Sequence, residues 1–148
     1  VIASDLTASL AFYCDVLGLT VLSEHYRAER DSHKVDLALN GEYLLELFTF
    51  PASPARVSQP EACGLRHLAF AVQDLTAWET HLKQCGVRCD SIRTDGFTGK
   101  SFFFCFDPDN LPVEFLCPLT DKKKPARWLA EKLRKYWKQC EQCRLPIP

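Results

Sequence analysis

The 148-residue chain is 47% hydrophobic, 25% charged and 11% aromatic, proportions of a globular domain rather than of a disordered, collagenous or disulfide-scaffold chain. No apolar run approaches the length of a bilayer span and no charged-then-apolar leader opens the sequence, which argues against a membrane or secreted protein. The net charge of −1 conceals an asymmetry, since residues 1–120 carry −7 and residues 121–138 carry +6, so basic character is confined to one end.

In chain order, Val1–Ala3 reads as the end of a strand. Asp5-Leu6-Thr7-Ala8 starts a helix, with Asp5 suited to cap its free amides. Leu6, Leu10, Tyr13 and Leu17 follow at helical spacing as its buried stripe, and Gly18 stops it. Three strands come next at Leu19–Arg27, Lys34–Leu39 and Tyr43–Phe48, the last two joined by the hairpin dipeptide Asn40-Gly41. Pro51–Gly64, with three prolines, reads as a connector.

A strand at Leu65–Val72 then leads to a second helix start, Asp74-Leu75-Thr76-Ala77. That helix is expected to bury Leu75, Trp78, Leu82 and Cys85 and to end at Gly86. Strands at Val87–Arg93, Ser101–Phe106 and Pro112–Cys117 complete the pattern, with Asp107-Pro108-Asp109-Asn110 as the last turn. The helix starts repeat at an offset of 69 and the helix stops at 68. Matching caps, stops, hairpins and order imply a duplicated α+β protein of two βαβββ modules. Its expected divisions are 1–50, a connector over 51–64, a second module over 65–120 and an appendage over 121–148.

The sequence contains no methionine, so it is expected to begin past its initiator. Eight cysteines are too few for a disulfide scaffold. Cys14, Cys63, Cys85, Cys105 and Cys117 lie in or beside apolar segments, which predicts free thiols in a reducing, cytoplasmic setting.

Chemistry concentrates in the repeat. Glu114 interrupts the apolar strand Pro112-Val113-Glu114-Phe115-Leu116, and 68 positions earlier Glu46 interrupts Tyr43-Leu44-Leu45-Glu46-Leu47-Phe48. One such carboxylate taken singly is most simply an edge residue facing water. Two at repeat-related positions are expected to face one another across a pseudo-two-fold axis, where pairing or a metal offsets their desolvation. His67 lies in the opening strand of the second half, and its repeat partner would fall three residues upstream of Val1. Imidazole and carboxylate donors suit Zn, Ni, Co, Mn or Fe. His25, His33 and His81 lack this symmetry and read as surface or turn residues. Lys100, on the loop Gly96-Phe97-Thr98-Gly99-Lys100, is a candidate contact for an anionic substrate.

The runs Ala11-Phe12-Tyr13-Cys14-Asp15-Val16-Leu17-Gly18, Gly64-Leu65-Arg66-His67-Leu68-Ala69-Phe70 and Phe106-Asp107-Pro108-Asp109-Asn110-Leu111-Pro112-Val113-Glu114 resemble glyoxalase-I-like bacterial members of the vicinal oxygen chelate superfamily, over roughly residues 1–117. The resemblance implies paired βαβββ modules curling around a cleft. One divalent metal per chain would be held by first- and last-strand residues, matching Glu46, His67 and Glu114. The first-strand histidine of the family pattern is missing. A carboxylate at Glu46 fits the isomerase or lyase branch better than the dioxygenases, with Glu114 as base and Glu46 its symmetry mate. The resemblance also implies a small oxygenated substrate and a homodimer; without an aromatic-basic motif or an apolar span, neither nucleic acid nor membrane is expected as partner. Metal-free relatives of the fold that bind drugs or metabolites unchanged leave a sequestering protein as the alternative.

Beyond residue 121 the resemblance ends. Leu129, Leu133, Tyr136 and Cys140 form the apolar stripe of a basic helix, flanked by Trp128 and Trp137 and opened near Pro125. It is expected to dock on the domain or on a partner subunit, the alternative being a basic helix that lies on a membrane or meets nucleic acid. Cys140-Glu141-Gln142-Cys143 lacks a second pair of ligands and reads as two incidental thiols.

Overall fold

Two short aspartate-capped helices set the frame. Asp5 Oδ1 accepts a hydrogen bond from the Ala8 amide at 3.0 Å, and Asp74 Oδ1 accepts one from Ala77 at 2.9 Å, so each repeated tetrapeptide satisfies a helix amide left free by geometry. A computed structural model describes residues 1–118, which form one compact unit. The expected basic helix and the Cys140/Cys143 pair lie outside the described residues.

Helix α1 (Leu6–Leu10) runs directly into a wider π-helical turn over Ala11–Val16, where Leu17 N–H reaches back five residues to the Phe12 carbonyl at 3.0 Å. Strands β1 (Thr20–Arg27), β2 (Ser32–Leu39) and β3 (Glu42–Phe48) follow as an antiparallel sheet in the order β1-β2-β3. The second half holds β4 (Leu68–Ala71), α2 (Leu75–Gln84), β5 (Arg93–Thr94), β6 (Ser101–Phe106) and β7 (Pro112–Leu116), with sheet order β4-β7-β6-β5. Ile2 bridges Phe48 in parallel, as Ala71 pairs with Leu116 in the parallel β4–β7 ladder. Each half therefore lays its opening segment alongside its own last strand. Gly18 and Gly86, at φ +79° and +74°, adopt the left-handed conformation that ends each helical segment. Among the described residues no helix is long and apolar enough to cross a membrane.

Three expectations need correction. The π turn places Phe12 beside Tyr13 and Leu17 in the core, whereas Leu6 and Leu10 are only partly buried; a strict 3.6-residue stripe misses this rotation. Cys85 is exposed rather than buried, because α2 ends at Gln84 and Cys85 is its C-cap, turned off the buried stripe. The predicted strand Val87–Arg93 survives only as the Cys89–Cys105 bridge and the two-residue β5. His33, read as a surface or turn residue, stands in β2 with its side chain 41% exposed, 3.4 Å from Glu24.

The core crosses between the halves. Phe12, Tyr13, Leu17, Val35, Leu37 and Leu47 from the first pack in one cluster with Leu82, Phe103, Cys105, Val113 and Phe115 from the second. Phe103 and Phe115 stack at 5.3 Å, and Trp78 of α2 lies 5.0 Å from Phe115. Burial pushes the Cys105 thiol up to about 12, which keeps it protonated as a core residue.

A polar clasp seals the junction. Asp107 Oδ1 accepts the Asp109 and Leu111 amides at 2.9 and 2.8 Å, and Asp107 Oδ2 accepts the Tyr13 hydroxyl at 2.9 Å. Asp109 then accepts the Ser4 amide at 3.0 Å. Burial raises the Asp107 pKa, and the three donors oppose that rise. Removing the Tyr13 donor leaves a buried acceptor short of one partner. Tyr13→Phe is therefore expected to lower unfolding free energy by about 1.5–3 kcal/mol in urea titrations. A change within error would show that the apolar packing of Tyr13 alone joins the halves.

Candidate metal centre

His67 stands one residue before β4, and Glu114 lies in the middle of β7. The parallel register pairs Ala69 with Glu114, which brings the His67 side chain to the neighbouring carboxylate. Nε2 of His67 lies 3.2 Å from Glu114 Oε2, with the imidazole one-third exposed and the carboxylate less so. Nδ1 of His67 is buried without a hydrogen-bond partner among the described residues. Phe104, the β6 partner of Glu114, meets the imidazole edge-on at 5.4 Å and walls one side of the pair. The Arg93 guanidinium covers Phe102 and Phe104 at 4.7 and 5.5 Å from the ring centres, placing a cation at the rim.

An imidazole nitrogen and a carboxylate oxygen are both donors that a divalent cation accepts, and here they lie close enough to serve one ion. The two donors thus fit half of a metal site. An unpartnered imidazole nitrogen inside the fold adds a polar atom that protein contacts leave unsatisfied.

Glu46 sits differently. On β3 it lies directly opposite Asp36 of β2, and Lys34 reaches both, with Nζ 2.8 Å from Glu46 Oε1 and 2.7 Å from Asp36 Oδ1. Ser23 donates its hydroxyl to Asp36 Oδ2 at 2.7 Å. The Lys34 hydrogen bond holds Glu46 below the usual carboxylate range, and the nearby Tyr43 hydroxyl adds to that effect. Lys34 and then Ser23 do the same for Asp36, while the two carboxylates raise the Lys34 pKa. Among the described residues no three His, Cys, Asp or Glu side chains converge as a metal site. His67 and Glu114 are thus brought together, and Glu46 is held by Lys34 instead.

The other candidates are dispersed. Lys100 ends a loop in which Asp95 Oδ1 accepts the Phe97 and Thr98 amides, and it precedes β6 directly. His25 is exposed, and His81 lies with Nε2 2.9 Å from the Val16 carbonyl. A hollow of about 630 Å³ opens between the chain's first residues, the connector and the Asp-Pro-Asp turn, but none of the three candidate ligands lines it. The Lys34–Asp36 pair went unnoticed in the sequence. Its signal was present as charged residues at alternate positions of Lys34-Val35-Asp36-Leu37, which places both on one face of a strand.

Residues 1–115 match the family model described as the Glyoxalase/Bleomycin resistance protein/Dioxygenase superfamily. The chain is 58% identical over 114 residues to the uncharacterized protein YaeR of Escherichia coli (strain K12), covering 77% of this chain and 88% of that one. It is 53% identical over 114 residues to the uncharacterized protein YwkD of Bacillus subtilis (strain 168), covering 77% and 89%. Among solved structures, a glyoxalase family protein from Enterococcus faecalis superposes with a TM-score of 0.74 at 43% identity, over 78% of this chain and 90% of that one. The trypanothione-dependent glyoxalase I of Leishmania major shares the fold, with a TM-score of 0.65 at 22% identity over 94% and 91% of the two chains.

The Lys34 network has a pH signature. Asp36 faces Lys34, Ser23 and His25, and its folded pKa lies below its unfolded value. Its contribution is complete above the ordinary carboxylate pKa near 4 and disappears as pH falls through the lower folded value. Asp36→Asn should therefore flatten the acid limb of a stability–pH curve measured by urea unfolding between about pH 7 and pH 3. An acid limb as steep as that of the unsubstituted protein would place the titrating group elsewhere.

Proposed function

The chain belongs to the glyoxalase/bleomycin resistance protein/dioxygenase superfamily, and from that premise we propose that it is a metal-dependent isomerase or lyase acting on a small substrate with neighbouring oxygens. The observation that carries this is the 3.2 Å approach of His67 Nε2 to Glu114 Oε2 on adjacent parallel strands. His67 and Glu114 would hold the ion, of the Zn, Ni, Co, Mn or Fe class, with Glu46 as third donor. A divalent ion there supplies Lewis acidity toward the substrate's oxygens.

The protein's own work is proton handling and exclusion of water. Glu114 is the base of the proposed reaction, taking a proton from the carbon acid, and His67 orients the carboxylate. Phe104 shields the pair on one side, which strengthens its electrostatics. Lys100 is proposed to receive an anionic group of the substrate. Because one chain brings together only two of the three donors, a homodimer in which a second copy presents its Glu46 completes the set. A cytoplasmic location is proposed as well, supported by the free thiols of Cys14, Cys63, Cys85, Cys89, Cys105 and Cys117.

One observation favours a second reading, a non-catalytic binding protein of the same fold. Glu46 is already neutralised by Lys34, and three donors do not converge among the described residues. Elemental analysis of protein purified without chelator separates the two. An enzyme of the proposed class should carry about one equivalent of divalent metal per chain. His67→Ala/Glu114→Ala should remove that metal and lower turnover of hemithioacetals or other chelating substrates by at least about a hundredfold. Metal-free protein that binds such compounds equally well after chelation would establish the binding protein instead.

A further inference from the structure

The two repeat-related carboxylates face different basic side chains. Glu114 faces an imidazole, which can give up its proton and still donate an electron pair to a metal. Glu46 faces the Lys34 ammonium at 2.8 Å, which has no lone pair to offer. A 68-residue offset from Lys34 and Asp36 leads to Phe102 and Phe104, so the second half has no counterpart of this lysine or its aspartate.

Charge explains why the lysine is there. Asp36 and Glu46 are direct cross-strand partners, an arrangement that is unfavourable for like charges unless a cation lies between them. Lys34 supplies that cation, bonded to one oxygen of each carboxylate, and Ser23 fixes the remaining oxygen of Asp36. A divalent ion ligated by Glu46 would bring its charge close to the same ammonium. An ammonium and a divalent ion at hydrogen-bond range of one carboxylate repel, so binding one weakens the other. Asp36 keeps a second bond to the ammonium, so Lys34 has a seat to retreat to when Glu46 is taken.

We propose that Lys34 is a built-in competitor for metal at Glu46, a cationic lock that neutralises this carboxylate until a divalent ion displaces the ammonium onto Asp36. This rests on the reading of Glu46 as a metal ligand, and it makes Lys34 a positioning residue that sets metal affinity. It also gives Asp36 a role opposite in sign to that of an ordinary acidic neighbour, because Asp36 helps to draw Lys34 away.

The test is zinc affinity, measured by competition with a chromogenic chelator on the full chain, with thermal unfolding of metal-free samples as a check on folding. Lys34→Met should bind Zn²⁺ roughly tenfold more tightly while unfolding at a lower temperature without metal, as expected for removing one partly buried counter-charge. Asp36→Asn should move the other way, roughly tenfold weaker, since it leaves the ammonium to Glu46 alone. In a Glu46→Gln background the Lys34→Met effect on affinity should vanish. Unchanged or weaker zinc binding in Lys34→Met, with Glu46→Gln still impairing it, would overturn the lock and leave Glu46 as a ligand. Zinc binding indifferent to Glu46→Gln would overturn both. Zinc taken by Lys34→Met and not by the unsubstituted protein supports the lock, and zinc taken by neither overturns it.

Discussion

The buried carboxylate of Asp107 is the constraint on which the rest of the molecule depends. A charge placed at the junction of two half-domains is costly unless its oxygens are occupied, and here two backbone amides and the Tyr13 hydroxyl occupy them. Those amides fold the Asp-Pro-Asp turn and so define where β6 ends and β7 begins. The hydroxyl comes from the π-helical turn of the other half. One side chain thereby sets the register that presents Glu114 and ties the halves into a common core. Asp109 extends the tie to the opening segment through Ser4.

On that shared frame the halves have diverged in chemistry while keeping their topology. Each lays its opening segment parallel to its last strand and carries a glutamate at the equivalent position of that strand. Around Glu114 lie an imidazole and an aromatic wall, a setting that leaves a nitrogen and an oxygen donor side by side. Around Glu46 lie a lysine, a tyrosine and a second carboxylate, a setting that is electrostatically closed by itself. The halves present two equivalent strands, and the different residues at facing positions of β2 and β6 leave Glu114 beside Phe104 and Glu46 beside Asp36 and Lys34.

Irregular backbone accounts for the places where pattern reading failed. The π turn admits one extra residue per turn, so Phe12 joins Tyr13 in the core although no helical stripe holds both. Register shifts in both ladders of the first sheet leave Leu22 and Leu44 as extra residues, and both apolar side chains stand half-exposed. In the second half, the run after α2 pairs at Cys89 and at Arg93–Thr94 and is otherwise free of the sheet. These features depend on what lies across the chain rather than on local spacing.

Local chemistry was legible directly. Aspartate caps, glycine stops, the Asn40-Gly41 hairpin and the Asp-Pro-Asp turn are decided by neighbours within a few residues, so the sequence determined the element order, the duplication and the equivalence of Glu46 with Glu114. The His67–Glu114 pairing was half legible, as two residues of suitable type in strands that the repeat relates. Only the tertiary structure decided that Glu46 belongs to Lys34 and Asp36, because an ion pair depends on cross-strand register and on which side chains share a face. Register in turn follows from bulges and from the clasp at Asp107, interactions 94 residues apart in the chain, and spacing along a sequence does not encode a contact of that range.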